Sequence, residues 1–275
     1  MFTSDQRRAY ARDGFLVLPG FKDAAEVAAL RHRIDELIDA FEPAPATGVF
    51  SSVERTLLAD AALIASADAV HCFLEAEALD AEGSLVRPKA SAVNKIGHAL
   101  HDRDPVFDRF SRDPRLAELA ADLGIGAPRL WQSMVICKPP SIGGEVAWHQ
   151  DASFLATEPQ TTTGFWFALD DADAGNGCLE VEPGGHRGPL RERCIRSGAT
   201  LAIERVDATP WPAPDAALPL AAAAGTLVVF DGLLPHRSAP NRSPRRRLAY
   251  TLHLTDGRAR YAPTNWLQRD GVRGF

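Results

Sequence analysis

Apolar residues recur at helical spacing in the first part of the chain and in short strand-like runs in the rest. Thr3 or Ser4 is a typical N-cap for a helix that continues through Tyr10, and Gly14 predicts its end. The run FLVLPGF then indicates a strand. Two further segments, AAEVAALRHRIDELIDAF and residues 57–79, have the spacing of amphipathic helices. We therefore expect helices that each pack one face against a sheet.

From about residue 129 the pattern changes to short β-branched and aromatic runs separated by Gly, Pro, Asn and Asp. The runs are RLWQSMVICKPP, GFWFALDDA, CLEVEPGG, GTLVVFDG and RLAYTLHLT. Because no helical pattern follows each strand, the chain favours an antiparallel sandwich or barrel over βαβ units. Residues 195–224, which are rich in Ala and Pro, predict a long loop over one end of that barrel.

The length of 275 residues is near the upper limit for one hydrophobic core, so we expect one domain, with two domains as the alternative. In this single domain over residues 1–275, a helical part of about 1–128 packs on a β-barrel core of about 129–260. The hydrophobic fraction of 45% excludes a disordered or fibrous protein. A net charge of −6 makes nucleic acid a poor candidate partner.

The cysteines and the first residues indicate a reducing compartment. None of the cysteines lies in a C-x-x-C pair, and the start MFTSDQRRAYARDG lacks the apolar segment of a secretory signal. No run of about 18 apolar residues occurs, so we expect no membrane span. These observations predict a cytoplasmic protein with free thiols.

A histidine and a carboxylate two residues apart are the first candidate for chemistry. His149 and Asp151 would share one face of an extended segment, and His236 follows the strand-like run GTLVVFDGLLP. Two imidazoles and one carboxylate that leave open coordination positions are typical of non-haem Fe(II) oxygenases. Arg247 comes soon after and could offer a planar fork to a carboxylate in the same cavity. From spacing alone, a solvated place in the triplet RRR is an equal alternative for Arg247.

The chain also carries an ordered series of longer motifs. They are GFLVLPGF, VNKIGHALHDRDPVF, QSMVICKPPSIGGEVAWHQDASFL, GFWFALDDADAGNGCLEVEPGGH, PHRSAPNRSPRRRLAYTLHL and NWLQ. Together they resemble the phytanoyl-CoA dioxygenase family of Fe(II)- and 2-oxoglutarate-dependent oxygenases, and most closely its branch of phytanoyl-CoA dioxygenase domain-containing proteins. The resemblance covers nearly the whole chain. It implies a mainly β fold with flanking helices, a double-stranded β-helix of the jelly-roll or cupin-like kind.

The resemblance implies a role for each matching residue. His149, Asp151 and His236 match the iron ligands, and Arg247 matches the arginine that binds the distal carboxylate of 2-oxoglutarate, with Ser238 assisting it. Further residues match positions that line or contact the cosubstrate site, namely Lys95, Met134, Trp166 and Gln132. From residue type alone, Lys95 would be a surface lysine whose stem covers apolar neighbours, which is the usual place of a lysine.

The resemblance further implies Fe(II), 2-oxoglutarate and O2 as cofactor and cosubstrates, with release of succinate and CO2. Because related halogenases have a small residue in place of the carboxylate, Asp151 favours hydroxylation of a C–H bond. We expect a small-molecule substrate and a monomer or weak homo-oligomer, with neither nucleic acid nor membrane as partner. Phytanoyl-CoA itself is not predicted, because the sequence has no phosphate-binding glycine loop.

Two other functions are compatible with a metal site of this kind. One is a non-catalytic sensor that binds the metal and a 2-oxo acid, and the other is a cupin-like Zn2+ isomerase or hydrolase. Arg247 and Ser238 disfavour the second, which has no use for a 2-oxoglutarate clamp. His98 and His101 would share a face if they lay on one helix. For this pair a role near the site or in a lid is preferred to a second metal site, whereas His253 carries no signal.

Overall fold

Helices occupy mainly the first part of the chain, and antiparallel strands the rest. The computed structural model describes residues 2–43 and 60–275. Its α-helices are α1 Ser4–Asp13, α2 Ala24–Ala40, α3 Asp60–Ala65, α4 Leu100–Arg103, α5 Pro105–Ser111 and α6 Pro114–Asp122. Its first strands are β1 Phe15–Leu18, β2 Val70–Leu74, β3 Val93–His98, β4 Pro128–Lys138, β5 Val146–His149, β6 Thr157–Glu158, β7 Thr163–Ala168 and β8 Leu179–Val181. The remaining strands are β9 Glu192–Ser197, β10 Thr200–Arg205, β11 Leu218–Leu220, β12 Leu227–Asp231, β13 His236–Ser238, β14 Arg247–Asp256 and β15 Arg260–Tyr261.

Helix α1 begins and ends where local chemistry dictates. The Thr3 side chain accepts a hydrogen bond from the Gln6 backbone N–H, while the Gln6 side chain accepts one from the Thr3 backbone N–H. This capping box satisfies two N–H groups that the first helical turn leaves unpaired. Gly14 ends the helix in the left-handed conformation at φ 83°, a geometry that glycine adopts without strain. The helix continues three residues beyond the predicted Tyr10.

Two sheets form the barrel. The larger has the order β1-β12-β7-β14-β4-β3-β2, the smaller has the order β11-β8-β13-β5, and their paired strands run antiparallel. The predicted class, mainly β with flanking helices in a double-stranded β-helix, is confirmed. Strands β1, β2 and β3 belong to the larger sheet although they precede residue 128, so the barrel is not confined to the later part of the chain. The single-domain organisation stays a prediction.

Alternate residues of the central strands face different cores. On β7, Phe165 and Phe167 belong to the cluster that includes helix residues such as Leu30 of α2, while Trp166 packs in a second cluster with Val181 of β8. The strand is therefore buried on both faces, one covered by helices and one by the smaller sheet. This arrangement explains why GFWFA is apolar throughout rather than alternating.

Two predicted elements are wrong. Residues 57–79 do not form one helix: within the described part, α3 ends at Ala65 and Val70–Leu74 is strand β2, while residues 57–59 lie outside the described residues. Residues 195–224 are not simply a loop, because β9 and β10 form a hairpin with Thr200 opposite Ser197, and β11 joins the smaller sheet. His98 and His101 also do not share a helix, since His98 ends β3 and His101 lies in α4.

Candidate metal centre

The two histidines of the predicted triad lie directly opposite each other on neighbouring strands. His149 ends β5 and His236 begins β13, and the antiparallel register pairs these two residues. Directly opposed residues of an antiparallel pair project on the same face. Their ring centroids are 4.1 Å apart, so both imidazoles reach the same point inside the barrel.

Asp151 reaches the histidines from a turn rather than from an extended segment as predicted. It begins a one-turn 3₁₀ helix, Asp151–Ser153. Its Oδ1 lies 3.8 Å from Nε2 of His149 and 3.7 Å from Nε2 of His236. The preceding Gln150 is fully buried, and its side chain bonds the backbone of three residues, Pro189, Leu233 and Arg191. These hydrogen bonds fix the turn that aims the Asp151 carboxylate into the barrel.

Both histidines present Nε2 to the centre. Nδ1 of His149 lies 2.9 Å from the Ala147 carbonyl oxygen, and Nδ1 of His236 lies 3.0 Å from the Leu234 carbonyl oxygen. A carbonyl only accepts, so Nδ1 carries the proton and the Nε2 lone pair is available to a metal. One ligand atom from each of His149, Asp151 and His236 lies within 4.8 Å of the other two. This donor set fits a divalent iron site with open positions.

Burial and mutual charge keep these groups in the ligand form. Burial, and then the neighbouring His236, lowers the pKa of His149 to about 3, so its ring is neutral at physiological pH. For Asp151, burial alone would raise the pKa of the carboxyl. The surrounding imidazoles, His253 first, outweigh burial and hold that pKa below its ordinary range. A neutral imidazole and an ionised carboxylate are the forms that bind metal.

Sequence reasoning missed His253, which lies against the metal ligands. It is buried on β14, and its Nε2 is 3.2 Å from Oδ2 of Asp151, the carboxylate oxygen turned away from the triad contacts. Gly164 of β7, directly opposite His253, also approaches this carboxylate: a Cβ at that position would lie 2.7 Å from Oδ2. His253 and Gly164 together restrict the position of the Asp151 carboxylate.

One cavity of about 220 Å³ contains the triad and the predicted cosubstrate residues. The predicted residues on its wall are Lys95, Gln132, Met134, Trp166, Ser238 and Arg247. Cross-strand pairing explains several of these neighbours, since Thr251 lies opposite both Met134 and Trp166. The structure therefore brings the whole predicted set together, whereas the role of each residue stays a prediction.

Arg247 is inside this cavity and not part of a solvated triplet. Arg245 and Arg246 pair with acidic side chains near the surface, but Arg247 is 1% exposed. Its Nε and Nη1 are buried and have no hydrogen-bond partner among the described residues. Its guanidinium lies 5.9 Å from the centroid of the Trp166 ring. A buried guanidinium with unsatisfied donors fits a carboxylate ligand.

Two buried lysines line the same wall. Burial lowers the pKa of Lys95 to about 7, and burial together with the Arg247 charge lowers the pKa of Lys138 to about 7. Lys138, which sequence reasoning also missed, donates to the carbonyl oxygens of Gly144 and Ala239. An anionic ligand beside these lysines would favour their protonated forms.

A jelly-roll barrel whose cavity joins two histidines, one carboxylate and a buried arginine has the features of the Fe(II)- and 2-oxoglutarate-dependent oxygenase class. Residues 10–249 match the family model described as Phytanoyl-CoA dioxygenase (PhyH). The chain therefore belongs to the phytanoyl-CoA dioxygenase family. Within the described residues, no helix combines the length and apolar character needed to cross a bilayer.

Curated relatives resemble the chain over almost its whole length. It is 40% identical over 270 residues to Phytanoyl-CoA dioxygenase 1 of Oryza sativa subsp. japonica, covering 97% of this chain and 94% of that protein. It is 38% identical over 272 residues to Phytanoyl-CoA dioxygenase domain-containing protein 1 of Bos taurus, covering 96% of this chain and 94% of that protein. The predicted family is thereby confirmed.

Solved structures share the fold at lower identity. The epimerase SnoN, solved in complex with Fe3+, alpha ketoglutarate and nogalamycin RO, matches with a TM-score of 0.67 and 19% identity over 98% of this chain and 94% of that chain. EctD from S. alaskensis, solved with 2-oxoglutarate and 5-hydroxyectoine, matches with a TM-score of 0.66 and 22% identity over 100% and 86%. At these identities the likeness shows the fold alone.

Proposed function

We propose that the protein is an Fe(II)- and 2-oxoglutarate-dependent dioxygenase that hydroxylates a C–H bond of a small organic substrate. One observation carries the proposal: three metal-ligating atoms within 4.8 Å of one another share a cavity with a buried arginine whose Nε and Nη1 lack partners. A metal alone would leave those nitrogens unsatisfied, whereas a bound dicarboxylate would satisfy them.

The chain's own residues divide the work. His149, Asp151 and His236 would hold Fe(II) on one side and leave its other positions open. Arg247, with Ser238, would bind the distal carboxylate of 2-oxoglutarate. Iron and 2-oxoglutarate supply the oxidation when bound: O2, 2-oxoglutarate and the substrate R–H give succinate, CO2 and R–OH.

The remaining cosubstrate residues would orient and shield. Lys95 offers positive charge to an anionic ligand, and Gln132, whose Nε2 lies 3.2 Å from the Met134 sulfur, offers a polar contact. Met134 and Trp166 are apolar walls that would exclude water from the reacting end of the cosubstrate. The residues' shared place on the cavity wall supports these proposed roles.

Succinate formation is the direct test. Protein loaded anaerobically with Fe(II) and then given 2-oxoglutarate and O2 should form succinate slowly even without a substrate. The His149→Ala variant should form none, and His32→Ala, which removes an exposed histidine of α2, should match the wild type. A non-catalytic sensor would bind 2-oxoglutarate with metal present but form no succinate under any condition, and a Zn2+ enzyme would not need 2-oxoglutarate.

A further inference from the structure

His98 is a further histidine of the cavity wall, and the metal site does not use it. His98 ends β3, is 1% exposed and forms part of the cavity wall. Its ring packs edge-on against Trp266, with centroids 4.9 Å apart, and near Phe73 at 5.7 Å. This aromatic packing holds the imidazole in one orientation. The histidine is thus a fixed polar group packed between aromatic side chains.

Hydrogen bonding decides which nitrogen of His98 carries the proton. The Ser66 hydroxyl lies 2.6 Å from the Leu63 carbonyl oxygen, to which it must donate its one hydrogen. The same hydroxyl oxygen lies 2.8 Å from Nδ1 of His98, so it can only accept there, and Nδ1 must be the protonated nitrogen. Nε2 of a neutral ring then keeps a lone pair and no hydrogen.

The ring is neutral, and its Nε2 has no hydrogen-bond partner in the part of the chain that the structure describes. Burial, followed by the charge of Lys95, lowers the pKa of His98 well below its ordinary value. Among the described residues, no polar atom is placed to hydrogen-bond Nε2 of His98. Because Nδ1 is turned to Ser66, the opposite edge of the ring is the one left to face the cavity. A fixed, unsatisfied acceptor of this kind selects for a donor.

The cavity wall carries many apolar side chains beside polar ones such as Lys95, Gln132 and Thr251. It includes the side chains of Leu63, Phe73, Phe154, Leu155, Ile203 and Trp266. Arg237, which also touches the cavity, is already paired with Glu180 at 2.8 Å and lies over the Trp148 ring. In a largely apolar pocket, a few placed polar groups fix the orientation of a ligand and give specificity.

We propose that this part of the cavity takes a largely apolar substrate group that carries one hydroxyl or N–H, which donates to Nε2 of His98. His98 is thus a substrate-orienting residue, and Ser66 is a positioning residue that acts by holding the tautomer. The inference rests on the proposed function in calling the ligand a substrate. A carboxylate or ether of the same shape is disfavoured, because neither can donate a hydrogen bond to the Nε2 lone pair.

The tautomer and the preference can be read without catalysis. Protein with 15N-labelled histidine, loaded with Zn2+ and 2-oxoglutarate, is titrated with tert-butanol, tert-butyl methyl ether and pivalate in turn, and followed by long-range 1H–15N NMR. We expect Nδ1 of His98 to be protonated and Nε2 bare. Tert-butanol should shift the Nε2 resonance and bind roughly tenfold tighter than the ether. Pivalate should leave that resonance unmoved.

Three variants separate orientation from structural support. His98→Leu should bring the alcohol-to-ether affinity ratio near one, and His98→Gln, which keeps an acceptor, should retain part of it. Ser66→Ala leaves the ring in place but removes its proton acceptor, so the ratio should fall there as well. A merely structural role would instead weaken alcohol and ether binding equally. Ser66→Ala keeps the test decisive if His98→Leu fails to fold.

Two results would overturn the inference: a proton on Nε2 of wild-type His98, or failure of tert-butanol to shift its resonance. Both results are measured without turnover, so they can be distinguished from a failure of the proposed function. That failure would appear as absent succinate from wild-type protein, with the tert-butanol preference still present.

Discussion

Arg247 carries more functional information than any residue outside the triad. A guanidinium that is fully buried and unpaired is costly, and the cost falls only when an anion satisfies its donors. Its neighbours in the triplet RRR give a matched comparison, because Arg246 pairs with Asp35 at 3.0 Å near the surface. The proposed function assigns the Arg247 charge to a ligand, whereas the Arg246 charge pairs with the protein's own carboxylates.

Replacing each arginine should separate these roles. We expect Arg247→Leu to weaken 2-oxoglutarate binding roughly 10- to 100-fold, the loss typical of a hydrogen bond between charged groups. Arg246→Leu, with the same change in charge, should leave it unaltered. Calorimetry of the metal-loaded protein measures both. Equal weakening in the two variants would mean that general charge, and not the buried fork, attracts the cosubstrate.

Lys95 should make cosubstrate binding depend on pH. With its pKa lowered to about 7, the free protein's Lys95 is mostly neutral at pH 8. A bound dianion favours the protonated form, so binding at pH 8 takes up a proton. Affinity should therefore fall as pH rises above 7, by up to about tenfold per pH unit, and should gain nothing from Lys95 below pH 7.

Calorimetry in buffers of different ionisation enthalpy measures that proton. Proton uptake at pH 8 should decrease in Lys95→Met, and the remainder belongs to Lys138, whose pKa is also about 7. Lys89→Met, which alters a lysine bonded to the end of α2, should retain the wild-type uptake. Unchanged uptake in Lys95→Met would show that Lys95 does not sense the ligand's charge.

Single residues were predictable from the sequence when a motif contained them. The triad and Arg247 stand in family motifs, and the structure gathers them in one cavity. His253 lies within the motif PHRSAPNRSPRRRLAYTLHL but has no assigned role there. Its strand nevertheless contains a signal: in RLAYTLHL, Arg247 and His253 have the same parity, opposite to the apolar Leu and Tyr positions. On a strand equal parity means the same face.

At the scale of elements, β7 runs closely beneath the metal site. Gly164 has no side chain where a Cβ would meet the Phe230 ring at 2.5 Å and Oδ2 of Asp151 at 2.7 Å. A side chain at this position would therefore press on both the Phe230 ring and the Asp151 carboxylate. Strand β7 thus limits the position of the metal-ligating residue Asp151, which lies on a different segment.

Gly164→Ala should therefore displace Asp151. We expect metal affinity to fall about 10- to 100-fold, the range seen when groups supporting a ligand are altered. Gly175→Ala, in a turn where the nearest contact is an Asp173 oxygen at 3.1 Å, should leave it near wild type. Metal titration with a competing chelator gives both affinities. Wild-type affinity in Gly164→Ala would show that the carboxylate adapts without loss.

Elements were predictable where chemistry at their ends was distinctive. The cap at Thr3 and the stop at Gly14 bound α1 closely. Strand β2 was hidden in an expected helix, because a short run buried by neighbours on both faces has no period of two to distinguish it. The hairpin of β9 and β10 could not be predicted, because its partly exposed residues lack a clear alternation of apolar and polar positions. Gly198 at φ 60° is the local sign of its turn.

At the scale of the whole molecule, the metal site lies between a long sheet and a short one. β14 of the larger sheet spans ten residues and carries Arg247 and His253, whereas β5 and β13 of the smaller sheet span four and three residues. Short strands offer few ladder hydrogen bonds, so the smaller sheet gains most from a metal that ties His149 to His236 and Asp151.

Ligand binding should therefore stabilise the fold. At a hundredfold excess over Kd, Fe(II) with 2-oxoglutarate should add about 2.7 kcal/mol to the free energy of unfolding, which raises Tm by several degrees. Anaerobic differential scanning calorimetry measures this rise. His149→Ala should lack it while its ligand-free Tm stays close to that of the wild type. An equal rise in His149→Ala would place the bound metal elsewhere.

The central claim is that one cavity holds the metal and 2-oxoglutarate together, and an anaerobic titration tests it most directly. Chelation of Fe(II) by a 2-oxo acid produces a visible absorption band that neither component gives alone. We predict that this band appears in wild-type protein only with both present, that His149→Ala lacks it, and that Arg247→Leu needs more 2-oxoglutarate to produce it. Binding of 2-oxoglutarate without the band, unaffected by either substitution, would contradict the account.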